Sequence, residues 1–158
     1  MPQGLYEPRQ RERLSGGQRG GFAVKPATSA LWTTVSSLSD AREWQRDAWK
    51  QLNEVRALPA DWDGYGSPVM SERSFQQACK LIFAVEVEYL PTPHLGPESG
   101  GAVQFDWCNG RHALELHFLA DGTVSYLKTV NGDCEADGEL PANAINEWRS
   151  LVEWLQEG

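Results

Sequence analysis

From Val103 onward the chain changes character every second residue. Val103, Phe105 and Trp107 alternate with Gln104 and Asp106, and Leu114, Leu116 and Phe118 alternate with Ala113, Glu115 and His117. A period of two places each apolar set on one face of a strand. Between the two runs, Asn109-Gly110 predicts a type I′ hairpin turn, because both central positions tolerate positive φ. Asp121-Gly122 repeats the turn signal, and Val124-Ser125-Tyr126-Leu127-Lys128 supplies a third strand. Tight turns join only antiparallel neighbours. The pattern therefore predicts a three-stranded antiparallel meander with one apolar face that needs a cover.

Helices can provide that cover. Asp40 with Glu43 marks a helix start, and Trp44, Ala48, Leu52 and Val55 recur at helical spacing until Leu58-Pro59. Ser71 is the expected N-cap of a second helix running to about Val87, with Phe75, Ala78, Cys79, Ile82 and Val85 on one face and Leu81 and Phe83 outside it. A third helix is expected with Pro141 in or near its first turn and a stripe of Ile145, Trp148, Val152 and Leu155. Pro91 to Gly101, rich in proline and glycine, reads as a loop. The fold class is thus α+β, a three-stranded meander covered on one face by two to three helices.

The 158 residues suit one domain with a tail. Residues 1–35 hold Arg9, Arg11, Arg13, Arg19 and Lys25 against Glu7 and Glu12, a net +3, with two Gly-Gly pairs and little aliphatic periodicity. That composition predicts a flexible basic tail over 1–35, ahead of a single domain over 36–158 that carries nine basic and twenty acidic groups, a net −11. An acidic body repels phosphate backbones, so direct nucleic-acid binding is expected only through the tail. No apolar run is long enough for a membrane span, and no signal pattern opens the chain, so a cytoplasmic location is expected. Three cysteines without C-x-x-C spacing argue against a disulfide framework or zinc ribbon and read as reduced thiols.

The stretch Asp61-Trp62-Asp63-Gly64-Tyr65-Gly66-Ser67-Pro68 carries the densest concentration of chemistry. Its glycines permit backbone angles closed to other residues, its aspartates can accept turn N–H groups, and Pro68 delays the next helix. Trp62 and Tyr65 are expected to fold back over the core. A competing reading makes Asp61 and Asp63 magnesium ligands or an acid/base pair, but no phosphate-cradling loop accompanies them.

Trp62 to Pro68, a following helix, a proline-rich loop and then a strand from Gly100-Gly101 to Trp107 resemble a widespread group of small bacterial proteins. These carry a W-D-G-Y-G-A-x-P motif and a later Gly-Gly strand with a tryptophan. The resemblance covers about Leu58 to Tyr126, and Ser67 stands where alanine is usual. It implies a structural role for Trp62, Asp63, Gly64, Tyr65, Gly66, Pro68 and Trp107. It also implies a partner-binding role in a toxin–antitoxin-like or defence-related two-gene module.

The remaining candidates are few. Cys108 and His112 flank the first hairpin and could face each other as a nucleophile pair or, with His117 and Asp121 or Cys134, as zinc ligands. His112 and His117 have opposite parity on one strand, which separates them. No P-loop, G-x-G-x-x-G, G-x-S-x-G or H-E-x-x-H pattern occurs. No metal, cofactor or catalytic residue is therefore assigned. The expected role is that of a non-enzymatic protein that binds a second protein, through Arg9, Arg11, Arg13 and Arg19 of the tail or through Trp49; no pattern sets an oligomeric state. The alternatives are an acidic inhibitor that imitates nucleic acid and a small hydrolase or metal enzyme. Carboxylates gathered on one exposed face would favour the first alternative, and convergence of Cys108 and His112 the second.

Overall fold

The computed structural model describes residues 42–141 and 143–158. The tail and the proposed start at Asp40 lie outside them. Helix α1 (Glu43–Arg56) leads through the glycine corner to α2 (Glu72–Ala84). Strands β1 (His94–Glu98), β2 (Ala102–Asn109), β3 (His112–Phe118), β4 (Val124–Val130) and β5 (Asp133–Leu140) follow, and α3 (Ile145–Leu155) closes the chain. The five strands form one antiparallel sheet in sequence order. The three helices among the described residues pack on the same face of it.

The α+β class stands, but the sheet has five strands, not three. β1 occupies the segment read as a loop. Pro97 pairs with Val103 at the sheet edge, where a residue without an N–H can be tolerated. β5 was hidden because Asp133, Glu135, Asp137 and Glu139 replace the apolar alternation that normally announces a strand. Its turn was nevertheless written in the chain: Asn131 and Gly132, at φ 53° and 85°, form the two-residue connection from Val130 to Asp133. The β2–β3 turn is also shifted by one residue. Asn109 pairs with His112, so Gly110 and Arg111 are central and only Gly110 has positive φ, as a type II′ turn requires.

The core lies between the sheet and the helices. Phe105, Leu114, Leu116 and Phe118 from the strands meet Leu52, Leu81, Ile82 and Trp148 from the helices. Leu81, expected off the buried face of α2, is fully buried because α2 is flanked by both other helices and lies over β2 and β3. Cys79 is correspondingly only half-buried. Ser71 caps α2 as expected, accepting the Ser74 N–H at 3.0 Å, but the helix ends at Ala84. Pro141 precedes α3 by a short turn in which its carbonyl accepts the Ala144 N–H.

Side-chain amides fasten these elements where helix and strand ends leave backbone groups unpaired. Gln45 donates to the Ile82 carbonyl at 2.7 Å, and Trp44 Nε1 donates to Val87 O at 2.9 Å, which fixes the exit of α2. Asn109 Nδ2 and His112 Nδ1 donate to Leu155 O and Trp154 O, closing the last turn of α3. Gln51 treats the outer edge of β1 as a neighbouring strand would: its Nε2 donates to Pro93 O at 2.8 Å and its Oε1 accepts the Leu95 N–H at 2.9 Å. Replacement of Gln51 by leucine leaves both groups unpaired at a partly buried edge. We expect a loss of about 1–3 kcal/mol in urea unfolding, with the slope unchanged and faster hydrogen exchange at the Leu95 amide.

Candidate functional site

The glycine corner is closed by its own polar groups. Asp61 sits at φ 62°, and Gly64 and Gly66 at 72° and 84°. Asp61 Oδ1 accepts the Gly66 N–H at 2.7 Å, and its own N–H donates to Ser67 O at 2.7 Å. Asp63 Oδ1 accepts the N–H groups of Tyr65 and Ser67, and Oδ2 accepts the Ser67 hydroxyl at 2.5 Å. The Ser67 hydroxyl and the Tyr65 amide hold the Asp63 carboxyl below its ordinary value. Both aspartates are thus turned inward on the loop.

The corner and the Gly-Gly strand meet in space. Ser71 N–H donates to Gly101 O at 2.9 Å, and a Cβ on Gly101, which has φ 83°, would stand 2.9 Å from Val69 O. Only glycine permits so close an approach with that backbone. The crevice between them, lined by Trp62, Pro68 and Gly101, measures about 10 Å³, the room of a single water. Trp62 is half-buried there, but Tyr65 is 93% exposed and does not cover the core as expected. Trp107 lies apart from the corner, buried in β2 beside Phe105.

The proposed catalytic and metal sets do not assemble. Cys108 is exposed on the face of the sheet away from the helices. His112 is on the other face, 6% exposed, its ring stacked on Trp154 at 4.3 Å. His117 returns to the open face, as its parity required. Among the described residues no group of three or more His, Cys, Asp or Glu side chains is placed to hold a metal ion. Trp49 packs on Phe75 and Phe83 at 6.0 and 5.5 Å between α1 and α2, so it widens the helical packing. Arg9, Arg11, Arg13 and Arg19 lie outside the described residues.

What the strands do bring together is a surface. On the open face, one row runs across the sheet through paired positions His94, Asp106, Glu115, Leu127 and Asp137. The next row holds Gly96, Gln104, His117, Ser125 and Glu139. Glu98 reaches the same face and contacts His117 Nδ1 at 3.0 Å, while Glu115 lies 3.6 Å from Nε2. Gln104 donates to Asp106 at 2.6 Å. Five carboxylates and two imidazoles therefore share a face with no lysine or arginine among its described residues. Between β3 and β5 this face sinks into a shallow open depression of about 590 Å³, bordered by His117, Leu127, Asp137 and Glu139. The acids of this surface were not singled out from the chain, although their outward parity on β2 and β3 and their alternation in β5 were visible there.

Comparison with known protein families, with curated proteins and with solved structures finds no match to this chain. Among the described residues, no helix is long and apolar enough to cross a membrane.

The inward bonds of Asp63 predict a pH signature. A carboxyl whose folded value is depressed stabilises the fold above its unfolded value near 3.8, and this contribution disappears as pH falls through the folded value. The stability gap between the native chain and Asp63→Asn should therefore be constant from pH 7 to 5 and shrink as pH falls below the unfolded value near 3.8. Urea unfolding at each pH reads this directly; a gap that does not shrink on acidification contradicts the role given to the carboxylate.

Proposed function

We propose that this chain is a non-enzymatic partner-binding protein, and that it engages a basic protein surface through the open acidic face of its sheet. The observation that carries the reading is the face itself: Glu98, Asp106, Glu115, Asp137 and Glu139, met by the imidazoles of His94 and His117 and, among the described residues, by no lysine or arginine. Summed over a continuous surface, such charges steer a basic partner toward productive encounters and repel other acidic surfaces. A basic groove that ordinarily holds phosphates is the kind of surface that fits. In this reading the protein is the neutralising or regulatory member of a two-gene module and occupies the groove of a nuclease or other defence effector. The resemblance of its glycine corner to small bacterial proteins supports the module, and the carboxylate face supports the groove. The divergence of Cys108 from His112 argues against a hydrolase.

The test is comparative capture from a lysate of the host cell. The quadruple variant Asp106→Asn, Glu115→Gln, Asp137→Asn, Glu139→Gln should lose a stoichiometric partner by tenfold or more, while keeping its circular dichroism spectrum. A variant neutralised on the helical side, Glu147→Gln, Glu153→Gln, Glu157→Gln, should retain it. Equal capture by both variants, or no stoichiometric partner for the native chain, would overturn the proposal.

A further inference from the structure

The two edges of the sheet are finished differently. β1 is five residues long, Pro97 removes one of its donors, and the Gln51 amide fills its outer side. β5 is eight residues long and has no proline, and among the described residues no hydrogen bond reaches its outer side. Its one irregularity, the bulge opposite Lys128 and Thr129, lies next to the turn, so the register with β4 is unbroken from Ala136 to Leu140. Resting on the partner-binding role proposed above, we infer that this edge receives an extended segment of the partner as a sixth strand. That segment alternates basic with apolar side chains.

The backbone supplies the attachment. An edge strand presents unpaired N–H and C=O groups, and an added strand satisfies them through main-chain hydrogen bonds. The open face supplies the sign of charge. Asp137 and Glu139 point to it two residues apart, a repeat of about 6.6–6.8 Å that alternate residues of a neighbouring strand reproduce. Basic side chains at those positions lie beside both carboxylates and extend the rows that carry Glu115 and His117. Pairing with β5 of a second copy would instead set acids among acids, which destabilises an antiparallel pair.

The helical side supplies the intervening positions. Ala136, Gly138 and Leu140 face it, and Tyr126 pairs with Leu116 and Gly138 there. The Tyr126 ring lies over Gly138 so closely that a Cβ on the glycine would stand 3.1 Å from Tyr126 Cε1. This ring, partly buried against the core, presents apolar surface beside the edge. Apolar side chains of the added strand continue that surface. Charge alone would attract any basic segment, whereas the edge selects an extended one.

The test uses the full isotope-labelled chain at low salt and a blocked peptide of about nine residues in which lysine and valine alternate. Binding should shift amide resonances chiefly in residues 136–140 and give cross-peaks between peptide and β5 backbone protons. In a paired strand only alternate residues turn their N–H groups to the neighbour. Two N-methylated versions, one methylated at the lysines and one at the valines, carry the same charge as the parent. One of them should lose affinity by about tenfold or more while the other stays within about threefold. Equal affinity of the two versions would overturn the inference, because pairing with the edge would then play no part. A parent peptide that does not bind, or that shifts only β2 and β3, would overturn it as well. So would inter-strand cross-peaks along the outer side of β5 in the chain alone, which would show that the edge is already paired.

Partner capture separates this inference from the function on which it rests. If the two methylated peptides bind alike while the quadruple face variant loses its partner, the sixth strand fails and the proposed function stands. If strand addition is seen while the face variant captures normally, the edge site stands and the proposed function fails.

Discussion

One-sided burial is the constraint on which the rest of this structure depends. Phe105, Leu114, Leu116 and Phe118 must leave water, and Trp148, Ile82 and Leu81 are brought over them by helices on a single side. Because side chains alternate along a strand, every residue between those positions is then committed to the opposite face. The chain fills that face with carboxylates. Asp106 stands directly across from Glu115, an arrangement of like charges that ordinarily destabilises an antiparallel pair. Local rules broken without a packing gain are a mark of surfaces kept for recognition. Such a pair fits the recognition role proposed for the open face.

The helical side is held by few, specific polar contacts. Gln45, Asn109 and His112 close the ends of α2 and α3, and Gln51 occupies the exposed edge of β1. The glycine corner belongs to the same group of devices. Its aspartates bond to their own loop, and Gly101 lets the loop lie against the start of β2. Among the described strands β5 forms the other edge of the sheet, and its acids discourage pairing with another copy. Two of them, Asp137 and Glu139, also add to the charge of the open face.

Much of this could be read in the chain wherever burial and periodicity agreed. Trp44, Ala48, Leu52 and Val55 line α1, Ser71 caps α2, and Trp148, Val152 and Leu155 face the core, because a helical stripe has one physical meaning when its opposite face is polar. The separation of His112 from His117 followed from parity alone. Where periodicity was silent, the reading failed. β1 has proline and glycine at an edge that tolerates them, and β5 carries carboxylates where an apolar strand would advertise itself. Tyr65 pointed outward because the corner is satisfied by its backbone and aspartates and has no cavity for a ring. The acidic face became legible only once five strands were aligned in register, since its residues come from separate segments that carry no common motif.

The central claim is that the open-face acids are kept at the expense of the fold, and thermal unfolding of the double variant Asp106→Asn, Glu115→Gln tests it most directly. The account predicts a midpoint several degrees above that of the native chain at low salt, corresponding to a gain of up to about 1 kcal/mol from the relieved cross-strand repulsion. The two midpoints should converge near 1 M salt, where exposed charges are screened. A variant that unfolds at a lower temperature than the native chain in low salt would contradict the account, because it would show that these carboxylates stabilise the sheet.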